Sequence, residues 1–327
     1  MIERRLQLIF TITAVMCLSN CAAYAQKNVS FRNQISTKVD NDFFTLSHVD
    51  RYYTSGLFAA YQTALTLNSN QNKVEKRLFS AEIGQEIFTA YSVRNKDPQK
   101  IDRPFAGYLF VKAAMSYLYK NEQKLSFAIN LGVIGPASGA ERFQRNYHSL
   151  FAFARPNGWQ YQISNLLVIN ASGSYSLPIL KSPGENRSFD LTADSYANLG
   201  TAFNGAGAGL MLRTGALEKL FQSESYNARI SSKEKTEFER NNELFFYTKP
   251  MLNYVLYNAS IEGSLFNNPQ GLEIRQKIVP WVYSQEFGIT YAHHKWGLNL
   301  HYIYNTRESE KANHHLYGSI GMNYRFH

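Results

Sequence analysis

Phe79-Ser80-Ala81-Glu82-Ile83-Gly84-Gln85-Glu86-Ile87 changes character at every step. Successive side chains on a strand point to opposite faces, so Phe79, Ala81, Ile83, Gln85 and Ile87 share one face while Ser80, Glu82, Gly84 and Glu86 share the other. Carboxylates confined to one side and aliphatic groups to the other describe a strand between hydrocarbon and a polar interior. Leu298, Leu300, Tyr302 and Tyr304 against Asn299, His301 and Asn305 repeat the pattern less cleanly.

From about Gln34 onwards such segments, about ten to fifteen residues each, alternate with polar turns and longer polar loops, which is the signature of a transmembrane β-barrel. Strands are expected at 34-42, 55-67, 77-88, 106-119, 124-134, 163-179, 188-201, 205-214, 243-258, 274-292, 297-307 and 315-326. The expected fold is all-β: a twelve-stranded antiparallel transmembrane barrel, with the even strand number of bacterial barrels and one short helix in an extracellular loop. The closing Tyr324-Arg325-Phe326-His327 places an aromatic near the end of the last strand.

Composition agrees. Of the 327 residues, 22 are Tyr, 22 Phe and 3 Trp, yet the mean hydropathy is −0.34. Beyond the first 25 residues no apolar run reaches the eighteen or so needed for a membrane-spanning helix. Residues 1-25 carry Arg4 and Arg5, an apolar run from Leu8 to Leu18, and Ala23-Tyr24-Ala25, which fits a secretory signal cleaved before Gln26 and leaves 26-327 as the barrel domain. Cys17 and Cys21 both fall inside that leader, so the mature chain would have no disulfide, thiol nucleophile or Cys-based metal site. Asn20 disfavours lipidation at Cys21. The net charge of +9 suits an anionic partner. For an exported chain without a nucleic-acid motif, that partner is a phosphorylated lipid.

Gly132-Val133-Ile134-Gly135-Pro136-Ala137-Ser138-Gly139-Ala140-Glu141-Arg142-Phe143-Gln144-Arg145-Asn146-Tyr147-His148 leaves a strand through a Gly/Pro break and enters the one expected helix. With Ser138 as N-cap, Phe143, Tyr147, Leu150, Phe151 and Ala154 recur at helical spacing, while Glu141, Gln144, Arg145 and His148 share the opposite stripe. The expectation is packing on the apolar side and chemistry on the polar side. Pro156 and Asn157-Gly158 end the helix, and Trp159 follows as an anchor. No Gly-x-Ser-x-Gly elbow and no His-Glu-x-x-His occurs, so neither a serine-hydrolase turn nor a zincin helix is present. His293-His294 and His314-His315 read as surface or interface residues, since strand neighbours point to opposite faces.

This loop, together with Val39-Asp40-Asn41-Asp42, Asp50-Arg51-Tyr52-Tyr53-Thr54-Ser55-Gly56-Leu57, Asp102-Arg103-Pro104-Phe105-Ala106-Gly107 and Asn157-Gly158-Trp159, resembles the outer-membrane lipid A 3'-O-deacylase family. The blocks stand in the family's order and at similar spacing over roughly residues 35 to 165; beyond that only the strand pattern agrees. The resemblance implies hydrolysis of an ester-linked acyl chain of lipopolysaccharide with Ca²⁺ in the outer membrane. It carries His148, Thr54 and Asp42 over as catalytic, Asn41 and Asp42 as metal ligands, and Arg94 and Lys96 as substrate-binding; Glu141 and Gln144, on the polar stripe of the helix, are expected to bind substrate as well. An amide oxygen and a carboxylate suit a hard cation, a neutral imidazole can take a proton from water, and loop cations suit lipid A phosphates. An acid that some members carry six places after the histidine is Ala154 here, leaving Glu141 as a substitute or the acid dispensable. The chain is expected to be a monomer. Two alternatives stand beside this: a phospholipase-type outer-membrane acyl hydrolase, marked by a serine paired with His, and a non-enzymatic lipid-binding or solute-passing barrel.

With the N-terminus periplasmic, 43-54, 89-105 and 135-162 lie at the outer rim with every candidate residue. The segment 215-242 falls at the other end, and its mixed charges read as a solvated loop.

Overall fold

The computed structural model describes residues 30–45, 51–67, 73–94, 97–183, 187–234, 236, 238–240 and 242–327. The leader expected at 1-25 and Lys96 lie outside the described residues. Twelve strands form one closed antiparallel barrel: β1 (Asn33–Asn41), β2 (Tyr52–Leu65), β3 (Val74–Thr89), β4 (Ala106–Tyr119), β5 (Lys124–Ile134), β6 (Leu166–Lys181), β7 (Phe189–Gly200), β8 (Phe203–Ala216), β9 (Asn242–Asn258), β10 (Trp281–His293), β11 (Trp296–Asn305) and β12 (His315–Phe326). Each strand pairs with its sequence neighbour, and β1 closes on β12 from Asn33↔Phe326 to Asn41↔Gly318. Closure leaves no unpaired edge, which lipid requires.

The helix α1 (Ala140–Phe151) lies in the β5–β6 loop, and α2 (Ala259–Glu262) is a single turn after β9. Strand boundaries follow the sequence expectation except at 274-292, where β10 begins at Trp281. Residues before it cross the outer mouth instead, with the Ile274 N–H donating to Tyr161 O and the Gln276 N–H to Ile261 O.

The alternation of the opening stretch is realised as an inside and an outside. Ile83 (52% exposed) on β3, Val111 on β4 and Ile129 and Leu131 on β5 face outwards, whereas Glu82, Lys112 and Ser126 line the lumen. The lumen holds a chamber of about 510 Å³ bounded by Lys38, Glu82, Lys112, Lys249, Glu286 and His301. Above it lies one of about 480 Å³ bounded by Asp40, Glu86, Asn130, Asn170 and Tyr317.

Both mouths are spanned. By the rule that bacterial barrels have short periplasmic turns and long outer loops, the end carrying α1 is the outer one. There Arg103, buried, donates to Ser260 Oγ (3.1 Å), approaches Glu308 Oε2 at 3.5 Å and lies over the Phe88 ring. Ser309 Oγ donates to Asp102 O (3.0 Å), and Tyr52 Oη donates to Asp102 Oδ2 (2.7 Å) while accepting from the Asn313 N–H. These bonds draw three loops together.

At the periplasmic end residues 217–231 of the β8–β9 connection fold inwards, where the sequence expectation was a solvated loop, while Lys233, Glu234 and Glu239 are exposed and Lys235 and Glu237 lie outside the described residues. Leu217, Leu220, Ala228 and Ile230 are buried, packing in part against Phe31, Leu78, Leu118 and Met211. Burying one such Leu or Ile contributes about 1.5–3 kcal/mol. The buried charges around it are paired. Arg213 donates to both carboxylate oxygens of Asp190 (2.9 and 2.5 Å), Arg187 donates to both of Glu122 (2.5 and 2.7 Å), and Arg325 pairs with Glu224.

Candidate active site between helix and barrel wall

Residues at i and i+2 on a strand share a face, so Gly107 faces outwards with Val111, and Ile87 with Ile83. The helix α1 lies against β3 and β4, and its Ala140 is buried with Ile87, Phe105 and Trp159. It therefore sits on the outside of the wall at the outer rim, not over the lumen. Gly107 permits this approach: a Cβ there would lie 2.2 Å from Ala140 Cβ and 2.2 Å from Ser138 Oγ. Gln85, also outward-facing, donates to Ser138 O (2.7 Å) and ties the loop to β3. The N-cap of α1 is Gly139 rather than the expected Ser138, which belongs to a preceding 3₁₀ turn.

The faces of α1 differ from the sequence expectation. Ala140, Gln144 and His148, spaced by four, are buried, while Phe143, Tyr147 and Leu150 are exposed. The helix packs through the row that carries its chemistry. The Trp159 indole N–H donates to Gln144 Oε1 (2.8 Å), so what Gln144 can still offer a substrate is its amide NH₂.

His148 Nδ1 lies 2.5 Å from Ala154 O. A carbonyl only accepts, so Nδ1 carries a proton, which in the neutral ring leaves the lone pair on Nε2. The helix ends at Ala152 in the left-handed conformation (φ 57, ψ 34), whose N–H caps His148 O. That turn swings Ala154 back over the ring. Backbone thus fills the place where an acid was absent from the sequence. The Glu141 carboxylate accepts from Arg145 Nε (2.8 Å) and Gln162 Nε2 (3.2 Å).

The second part of the site is the tip of β1. Asn41 shares the outward face of Ile35 and Val39, and its Oδ1 accepts from the Phe43 N–H (2.8 Å). Asp42 is buried, and its Oδ2 accepts from the Arg51 N–H (2.8 Å). Asn41 pairs with Ser55, and the β2–β3 register shifts between Tyr53 and Ser55, leaving the buried Thr54 as the bulge residue beside that tip. Bulges re-aim side chains in this way near active sites. The Phe43 ring lies 6.1 Å from Phe153, which lies 5.7 Å from the His148 ring, so aromatic contacts link the tip to the end of the helix. Arg94 is exposed on the neighbouring loop, where its carbonyl accepts from Asn157 Nδ2 (3.3 Å). Of the paired histidines, His315 is not a surface residue: it is buried and stacked on Tyr317.

Among the described residues no group of three or more His, Cys, Asp or Glu side chains could hold a metal ion. The donors at the β1 tip, one carboxylate and one amide oxygen, fit a hard cation whose remaining ligands are carbonyl, hydroxyl or water oxygens. Sequence reasoning missed Gly107, Gln85, the Trp159 indole and the Ala154 carbonyl. Gly107 and Trp159 carried the signal of standing in motif blocks; Gln85, inside an alternating strand, and a backbone carbonyl carried none.

A closed twelve-stranded barrel with a polar lumen, and a polar cluster held on its outer rim by a surface helix, defines an outer-membrane β-barrel with an externally mounted site. The sequence profile described as outer membrane protein LpxR matches residues 8–326, and the chain belongs to that family, whose proteins modify lipid A in the outer membrane. LpxR from Salmonella typhimurium shares the fold, with a TM-score of 0.74 and 21% identity over 90% of this chain and 100% of that one. The β domain of the Bordetella autotransporter Brka gives a TM-score of 0.47 and 11% identity over 91% of this chain and 100% of that one. No curated protein sequence matches significantly.

Proposed function

We propose that this protein hydrolyses the ester that joins a 3'-acyloxyacyl unit to lipid A. The observation that carries the mechanism is the Nδ1–H bond from His148 to Ala154 O. It supports the neutral tautomer with the lone pair on Nε2, the atom that would act as base, with a backbone carbonyl rather than a carboxylate behind the ring. In this mechanism Nε2 takes a proton from water as the water oxygen bonds to the ester carbonyl carbon. The C–O bond then breaks, and the imidazolium returns the proton to the departing sugar oxygen. Asn41 and Asp42 would hold Ca²⁺, which when bound supplies positive charge against the developing oxyanion. Thr54 offers a hydroxyl beside them, Gln144 an amide NH₂, and Arg94 and Lys96 cationic groups for the lipid's phosphates. Glu141, engaged by Arg145 and Gln162, shapes the helix surface next to the substrate rather than the base.

Mass spectrometry of lipid A from cells with and without the protein reads the reaction directly. Loss of one acyloxyacyl unit is expected. His148→Ala should lower the rate by about 10²–10⁴-fold in a barrel that still assembles, because a positioned general base is removed. Asp42→Asn should instead weaken the response to Ca²⁺ and recover when Ca²⁺ is raised. Full activity of folded His148→Ala, or indifference of the parent to chelators, would sink the mechanism.

A further inference from the structure

We propose that the apolar flank of α1, formed by Phe143, Tyr147, Leu150 and Phe151, rests in the acyl-chain region of the membrane's outer leaflet. The helix has three environments, not two. Ala140, Gln144 and His148 face the wall and are buried. Arg142, Asn146 and Ser149 are exposed on the far side. Between these rows, on one side only, Phe143 (37% exposed), Tyr147 (38%) and Leu150 (77%) present a continuous apolar strip.

Two features decide what covers that strip. The wall under α1 is the barrel's outside, continuous through Gly107 and Ile87 with the lipid-facing Val111 and Ile83, so the strip borders a surface already immersed in hydrocarbon. The residues also match an interfacial helix: aromatic and leucine side chains on one flank, arginine and small polar groups on the other. The rings pack on one another, Tyr147 with Phe151 at 4.8 Å and Phe151 with Phe153 at 6.0 Å, and Phe153 reaches Phe43. Lipid contact along the strip would therefore extend to the β1 tip, and bilayer depth would set the height of His148.

A nitroxide introduced at Leu150→Cys, and separately at Arg142→Cys, tests this in the full chain with Cys17 and Cys21 replaced by Ser. Both sites are exposed, so the fold should tolerate the change, and a heat-modifiable gel band reports folding. In phosphatidylethanolamine–phosphatidylglycerol vesicles, the ratio of collisions with oxygen to collisions with a water-soluble nickel chelate should be several-fold higher at 150 than at 142. Equal ratios would place the strip in water and overturn the proposal. So would spin–spin broadening at 150 that disappears on dilution into excess lipid, because a second copy would then be the cover. The label reads its surroundings and not turnover, so either outcome is independent of the deacylation mechanism.

Discussion

The two ends of this barrel use charge in opposite ways. At the periplasmic mouth, Asp190, Glu122, Glu218, Glu224 and Glu243 are buried among Arg187, Arg213, Arg229 and Arg325, with short hydrogen bonds between most of them. At the outer rim backbone groups hold several of the site's polar side chains: Ala154 O accepts from His148 Nδ1, and the Arg51 and Phe43 N–H groups donate to Asp42 and Asn41. A buried charge must be paired, whereas a reacting group must keep an atom for its substrate. Side-chain ion pairs hold the periplasmic end together, whereas backbone groups take part in orienting His148, Asp42 and Asn41 at the outer rim.

The contrast can be broken at its strong end first. Arg213→Met leaves the carboxylates of Asp190 and Glu243 without a cation that both use. Losing one partner of a buried network costs about 3–5 kcal/mol, so chemical denaturation of the refolded barrel should show a loss of that size. Deacylation per folded molecule should be unchanged at 25 °C. A matching loss of turnover would mean that the two ends are coupled.

Gly107→Val is the reciprocal test at the outer rim. The new side chain would meet Ala140 and Ser138 and push α1 from the wall. A displacement of about 1 Å in a positioned base costs on the order of 10²-fold in rate, with little change in barrel stability because β4 keeps its ladder. Normal turnover would show that the seat of α1 does not set the position of His148.

The smallest effect is a dependence on pH at the periplasmic end. Burial pushes the Glu218 carboxyl up to about 7 despite the N–H groups of Arg240 and Glu239. For Glu122, burial is opposed and outweighed by Arg187, the Leu220 N–H and Lys181, and the carboxyl lies at about 2. A raised carboxyl binds more protons in the folded state, so its contribution to stability is greatest below the ordinary value of 4.5 and is lost as pH rises through about 7. Glu122 has the opposite sign, contributing fully above 4.5 and losing its contribution as pH falls towards 2. The β8–β9 connection should therefore loosen between pH 5 and 8, seen as faster hydrogen exchange there after correction for intrinsic rates. Glu218→Gln should remove that slope. An unchanged slope in the variant would assign it to another group.

Much of the barrel was legible because its determinants are local. The period of two in Phe79–Ile87 or Leu298–Tyr304 follows from strand geometry, and lipid on one side with a polar lumen on the other forces each strand to display it. The helix at Ala140–Phe151 and the block residues Asn41, Asp42, Thr54 and His148 were legible on similar terms, as a spacing and as a resemblance.

What tertiary structure alone decided concerns partners distant in sequence. The period of α1 gave two stripes, but not which one meets a wall formed by β3 and β4. The glycine at 107 and the lipid beside the wall decided that, reversing the expected faces. The charges of 215-242 looked solvated because Glu75 and Arg325, which pair with Lys233 and Glu224, lie far away in the sequence. The orientation of His148 came from the carbonyl of Ala154, an atom every residue has, delivered by a left-handed turn at Ala152. A side-chain alphabet records which groups a chain owns; only the folded chain fixes which backbone oxygen, which wall and which solvent each group meets.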